Sequence, residues 1–313
     1  MDLQDIRARL RDAPERLDVV DAEGQTLLFQ ACLLATGNMA LPAEPAGDAE
    51  HAVVDELLTV GADPSVARAD GMAPLHVAAM TGNVRLAEQL IAARAPRSGV
   101  LMGASGGSPL ALALFYAQTE MARFLADEPV PDNLRLASSI GGSLETHLDA
   151  GRPNAKARAG WDFYRPIPAF PEPGPSDDDA TVLTDALTYA ARHGETARMA
   201  ELVDAGADVN GNPYRGTPLL WSAFADRVEG MRWLLDHGAD PDLAHDFGGA
   251  QHGKQGVVMH MAAQFGSVQC LELLLERGAD TSIRDGLYGG TPLDWAENAG
   301  TTASIEILQR HDA

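Results

Sequence analysis

Ala73-Pro74-Leu75-His76-Val77-Ala78-Ala79 is the stretch that decides the fold. It returns as Thr217-Pro218-Leu219 and Thr291-Pro292-Leu293, and in degenerate form as Val258-Met259-His260-Met261-Ala262-Ala263. A second phrase alternates with it: Gly61-Ala62-Asp63, Gly206-Ala207-Asp208, Gly238-Ala239-Asp240 and Gly278-Ala279-Asp280. Each copy of the second phrase follows a leucine-rich stretch, such as Trp233-Leu234-Leu235 or Leu273-Leu274-Leu275.

The phrases have a helical reading. Thr caps a helix N-terminus, and Pro at the first helical position loses only an N–H that had no intrahelical partner. Paired alanines let helices approach closely. Gly82, Gly194, Gly266 and Gly300 stand where each first helix should stop, because glycine enters the left-handed region without strain. An amphipathic second helix follows, for example Val268 to Arg277. Leu3 to Leu17 reads as a further amphipathic helix closing one end, and Glu306 to Ala313 as the other end.

In this alternation the chain resembles the ankyrin-repeat family. The resemblance implies an all-α solenoid of stacked helix-turn-helix units with projecting finger loops, and about eight repeats. Their expected origins lie near Thr26, Ala73, Ser108, Asp132, Asp185, Thr217, Val257 and Thr291. The repeats are irregular over residues 1–159 and regular over 182–313, with a Pro- and aromatic-rich insertion at 160–181 between them. The family slot filled by His76 and His260 implies imidazoles that tie turns together. Asp294 fills that slot in the last repeat and is expected at the surface.

Composition fits this reading. The chain has 313 residues, 45% hydrophobic but only 5% aromatic, which suits close-packed helices better than β-sheet layers. A formal charge of -22 disfavours nucleic acid and anionic membranes. Cys32 and Cys270 both lie in apolar helical stretches, so a disulfide framework is not expected. The start lacks a basic, apolar leader, and no stretch is long and apolar enough to span a bilayer, so a cytoplasmic protein is expected.

Specific function is expected where the chain departs from the plain repeat. Gly37 to Glu50 reads as a surface loop. Gly160 to Thr181 carries five prolines and Trp161, Phe163, Tyr164 and Phe170, and covers a seam or lines a pocket through Tyr164 and Arg165. Ser176 and its acidic run read as the next helix cap. His245 to Gly256 is an enlarged, glycine-rich finger containing Phe247, His252 and Lys254.

Tyr214 and Arg215 sit on the finger before it and Tyr288 on the finger after it. Corresponding fingers of a stack lie side by side, and Tyr and Arg are frequent binding anchors. In the family, the two residues after the paired alanines face the concave surface. In this sequence those include Arg192 and His193, Phe224, Gln264 and Phe265. Trp221 and Trp295 are expected to be buried between repeats.

The expected function is therefore non-catalytic binding of a protein through the concave face and fingers. The runner-up is a cofactor-independent acid–base enzyme or small-molecule binder, with a pocket formed by the 160–181 segment and the C-terminal finger loops. No nucleophile elbow, phosphate loop or dinucleotide fingerprint is present, and no cofactor is expected. His245, His252 and His260 match no zinc spacing, so no metal site is expected.

Overall fold

The computed structural model describes residues 2–37, 47–99, 107–126, 132–159, 176–246 and 254–311. Most of the first insertion, the aromatic part of the second with Tyr164 and Arg165, and the loop with Phe247 and His252 lie outside the described residues. The described residues form two compact units, 2–126 and 132–159 with 176–311.

The first unit begins with α1 (Leu3–Asp12) and a 3-10 turn at Pro14–Arg16. Then come α2 (Leu27–Leu34), α3 (Asp48–Thr59), α4 (Pro74–Thr81), α5 (Val84–Ala92), α6 (Pro109–Phe115) and α7 (Thr119–Leu125). Helices α2, α4 and α6 pack as one row and α3, α5 and α7 as a second. α1 closes the end by packing on α2 and α3, with Ile6 fully buried. It is shorter than the expected Leu3–Leu17. Pro14 cannot donate an N–H to the helix, and its ring pushes Ala13 out of the helical region, to φ -148° and ψ 65°.

The second unit contains α8 (Leu134–Ile140), α9 (Asp179–His193), α10 (Thr196–Asp204), α11 (Pro218–Phe224) and α12 (Val228–Asp236). It ends with α13 (Val258–Phe265), α14 (Val268–Glu276), α15 (Pro292–Ala299) and α16 (Thr302–His311). Helices α8, α9, α11, α13 and α15 pack in sequence as the first row, and α10, α12, α14 and α16 as the second. Two antiparallel ribbons interrupt the helices: β1 (Leu148–Asp149) with β2 (Arg152–Pro153), and β3 (His245–Asp246) with β4 (Lys254–Gly256).

Two repeat origins move. Asn133, not Asp132, caps α8, accepting the Leu136 N–H at 3.1 Å. Asp132 instead binds His147 and Lys156. After α8 the ribbon β1–β2 stands where a second helix was expected. Asp185 is no origin at all, because α9 starts six residues earlier and Asp185 is buried inside it. The cap of α9 is Asp178, which accepts the Thr181 N–H at 2.8 Å. Ser176 only buttresses that cap through the Asp178 N–H.

The recurring phrases now have atomic reasons. Gly82, Gly194, Gly266 and Gly300 all end first helices with φ between 67° and 75°. In each Gly-Ala-Asp turn the alanine is buried and the aspartate oxygen accepts the backbone N–H two residues on, at 2.8–2.9 Å. A second acceptor then joins one turn to the next. Asn210 accepts the Asp240 N–H at 2.8 Å, and Asp242 accepts the Asp280 N–H at 3.0 Å. Some of the negative charge is therefore stitching between repeats.

His76 and His260 perform the expected tie. Each Nδ1 accepts the N–H three residues back at 3.1 Å, so the proton sits on Nε2. That proton is donated to the Gly99 carbonyl at 3.1 Å and to the Gly290 carbonyl at 3.0 Å, respectively. Burial holds both imidazoles below their ordinary pKa, against the pull of these carbonyls. Asp294 is exposed, as expected, and makes the same backward bond, accepting the Thr291 N–H at 2.8 Å.

Candidate functional site

The first-row helices of the second unit bring three of the sequence-selected residues, Arg192, Phe224 and Phe265, into one row with Tyr189 and Trp221, two rings that the sequence did not select for binding. Arg192 near the end of α9 lays its guanidinium 3.6 Å from the centroid of Trp221 on α11 and 4.9 Å from that of Tyr189. Arg135 of α8 lies 5.9 Å from the same Tyr189 ring. Arg135 is ion-paired with Asp185, and both are almost fully buried. Trp221 meets Phe224 edge-on at 5.5 Å, and Phe224 meets Phe265 of α13 edge-on at 5.0 Å. A continuous cationic-aromatic row thus crosses four helices of one unit.

Exposure changes along the row. Arg192 is only 2% exposed, so it forms the floor of the row, and the adjacent His193 is buried at 6%; neither is the open surface that the family pattern implies. Met80 and Thr81 in the first unit are buried in the same way, with the Thr81 hydroxyl donating to the Val77 carbonyl at 2.9 Å. Phe224, Gln264 and Phe265 are half-buried and open to contact. Burial lowers the Arg192 pKa to about 10, with Tyr189, Asp185 and Tyr214 pulling it back up. It remains a cation at neutral pH. Burial pushes the Tyr189 phenol up, with the two arginines opposing.

Tyr214 and Arg215 are set against this floor by their finger. Asn212 closes the turn by accepting the Gly216 N–H at 2.7 Å. Arg215 takes the left-handed conformation at φ 59°. Gly216 follows at φ 144°, and a Cβ there would stand 2.8 Å from Leu220 and 3.1 Å from the Trp221 indole nitrogen. The finger is therefore seated on the same tryptophan that carries Arg192. Both Tyr214 and Arg215 are half-buried.

Tyr288 stands apart from this row, 72% exposed on the last finger. That finger is built on Asp285, which is 3% exposed. One of its carboxylate oxygens accepts the Leu287 and Tyr288 N–H groups at 2.8 and 2.7 Å. The other accepts the Gly290 N–H at 2.8 Å and the Trp295 indole N–H at 3.0 Å. Trp221 is buried, as expected, but Trp295 is only half-buried because it supports this finger.

The sequence reading missed Arg135, Asp185 and Tyr189. Arg135 and Asp185 were signalled as charges within helical stretches rich in apolar residues, Leu134-Arg135-Leu136 and Val182-Leu183-Thr184-Asp185-Ala186-Leu187, whereas Tyr189 carried no such signal. No group of three His, Cys, Asp or Glu among the described residues is placed to hold a metal ion. Both cysteines are buried free thiols, and burial pushes their pKa up. No helix among the described residues is long and apolar enough to cross a membrane.

The family model for ankyrin repeats in three copies matches residues 45–134 and 172–245, and the single ankyrin-repeat model matches 258–286. The chain belongs to the ankyrin-repeat family. Its ankyrin repeats are similar to those of the protein named "Ankyrin repeat, SAM and basic leucine zipper domain-containing protein 1". The Oryctolagus cuniculus protein is 32% identical over 132 residues, covering 40% of this chain and 26% of that protein. The Echinops telfairi protein is 30% identical over 155 residues, covering 47% of this chain and 30% of that protein. The Homo sapiens protein is 34% identical over 95 residues, covering 29% and 18%. The chain thus spans less than a third of the length of these relatives. Ankyrin repeats are generally protein-interaction modules, and nothing in the comparisons points to catalysis.

Proposed function

We propose that this chain is a non-catalytic binding module that holds a protein segment against the second unit. The observation that carries the reading is the row just described. Half-buried Phe224 and Phe265 offer apolar contact and Gln264 an amide, beside Tyr214 and Arg215, above a floor fixed by Arg192 and Trp221. Aromatic and arginine side chains on a rigid, desolvated base are what binding hot spots consist of. Tyr288, on its carboxylate-braced finger, adds an outlying contact. The charge of -22 favours a protein over a nucleic acid. Buried thiols, free of any disulfide, suit a reducing, cytoplasmic setting.

Photo-crosslinking tests this reading. A crosslinking residue at Phe265 or Tyr288 should trap a protein from the native host that the same residue at Val60, 54% exposed, does not. The trapped species should disappear with Tyr214→Ala and Arg215→Ala together. Equal trapping at Val60, or trapping unchanged by the double variant, refutes the proposal.

A further inference from the structure

Asn210-Gly211 is the one place in the chain where glycine follows asparagine. Such a pair carries a reaction of its own. The glycine nitrogen, once it has lost its proton to solvent, attacks the asparagine side-chain carbonyl carbon, since no Cβ at the glycine hinders the approach. The side-chain nitrogen leaves as ammonia, and a five-membered cyclic imide remains. Water then opens the ring at one carbonyl or the other. The products are aspartate and isoaspartate, whose main chain runs through the former side chain. Asn212, the next asparagine, precedes Pro213, which has no N–H to give up.

Packing keeps the reactive pair in place. A Cβ at position 211 would stand 2.7 Å from Thr184 Cγ2 of α9, and 3.3 Å from both the Cβ and the carbonyl oxygen of Asp208. The close approach of this turn to α9 therefore demands the residue that makes Asn210 reactive.

The fold restrains the atoms the reaction needs. The Gly211 N–H is donated to the Asp208 carbonyl at 3.1 Å. Asn210 Oδ1 accepts the Asp240 N–H at 2.8 Å and Asn210 Nδ2 donates to the Gly238 carbonyl at 3.0 Å, so the amide is clamped at both ends. Thr184 Oγ1 holds the turn onto α9 by accepting the Asp208 N–H at 2.9 Å. Asn210 and Gly211 are only half-buried, so water is at hand once the turn opens.

The corresponding joints show which product the stack tolerates. Asp242 accepts the Asp280 N–H at 3.0 Å and Asp18 accepts the Asp63 N–H at 2.9 Å, each with a carboxylate. Aspartate at 210 would keep the bond to Asp240 and lose the one to Gly238. Isoaspartate would lengthen the main chain by one carbon just ahead of Tyr214 and Arg215 and so displace their finger.

We infer that Asn210 is a deamidation site gated by the opening of its own turn, which makes this joint between repeats an irreversible chemical switch. Nothing in this chemistry depends on what the second unit binds.

The test incubates the full chain at mildly alkaline pH and follows every asparagine by peptide mass mapping, with isoaspartate read by enzymatic methylation. A synthetic peptide of residues 207–214 gives the unrestrained rate. Asn210 should convert before any other asparagine, yet at least about tenfold more slowly than in the peptide. The slowing should match the hydrogen-exchange protection of the Gly211 amide to within about threefold, because both processes need the same N–H released. Thr184→Val removes the hydroxyl that holds Asp208 and should speed both processes by the same factor. Urea below the unfolding transition opens the turn without a substitution and should do likewise, which keeps the test valid if Thr184→Val unfolds the unit. Asn210→Asp should retain the wild-type helical spectrum. Conversion of another asparagine first would overturn the assignment, as would an Asn210 rate equal to that of the peptide. A deamidation rate that stays constant while Gly211 exchange rises would overturn the gate.

Discussion

Replacing Asp285 with asparagine tests whether one carboxylate organises the last finger. The change conserves shape and removes a charge. In the native protein each carboxylate oxygen accepts two hydrogen bonds, from Leu287 and Tyr288 on one side and from Gly290 and the Trp295 indole on the other. Asparagine keeps one oxygen and turns the other into an amino group. Either orientation sets two of the four donors against another donor. A hydrogen bond to a charged acceptor contributes roughly 1.5–3 kcal/mol, so two lost bonds amount to about 3–6 kcal/mol. Gly286, Leu287 and Tyr288 are exposed and can relax toward water, which places the expected net loss near the lower bound, about 3 kcal/mol.

Such a loss in one finger of a repeat array opens the local unit before the whole. Hydrogen exchange is therefore the right assay. The Leu287, Tyr288 and Gly290 amides should exchange about two orders of magnitude faster in Asp285→Asn, since each 1.4 kcal/mol is tenfold. Amides of α9 should be unchanged. The gap should also depend on pH. Burial raises the Asp285 pKa, but the Tyr288 amide, the Trp295 indole and the Leu287 and Gly290 amides together pull it below the usual carboxylate range. A depressed native pKa contributes stability above the unfolded value and loses it as pH falls through the folded value. The two proteins should therefore converge as pH falls below about 4. Exchange rates within threefold of each other at pH 7 would refute the carboxylate's role.

Three further outcomes follow from the same structure. Arg135→Met should destabilise the second unit by about 3–5 kcal/mol by leaving Asp185 charged and buried, whereas Arg135→Met with Asp185→Leu should recover most of it in urea titrations. Gly216→Ala should lower the unit's stability by about 2 kcal/mol or more, because it adds a Cβ in a left-handed residue that also meets Leu220 and Trp221. A stability equal to wild type in denaturant would disprove that seating. His76 and His260 have folded pKa values below their unfolded ones. Their contribution is full above about pH 6.5 and falls as pH drops from there through the folded values. Stability should decline below pH 6.5 by up to about 1.4 kcal/mol per pH unit per histidine. His76→Gln with His260→Gln should flatten that slope, and an unchanged slope counts against burial holding the two imidazoles neutral.

Much of the fold was legible because its determinants are local. Pro at a helix start, Gly at a helix end and Asp two residues before the amide it binds each act within a few positions. The first-helix stops at Gly82, Gly194, Gly266 and Gly300, the buried alanines of the turns and the imidazole ties all follow from such signals. So did the choice of Phe224 and Phe265, since repeat phase places them on one side of a helix. Sequence therefore determined the repeat architecture and the family.

Tertiary structure decided what depends on residues far apart in the chain. Asp185 looked like a helix start because its spacing to Thr217 fits the period. Its partner Arg135, fifty positions away, shows it to be a buried charge in a longer helix. Arg192 occupies a surface position of the pattern yet lies buried, since Trp221 comes from another repeat to cover its guanidinium.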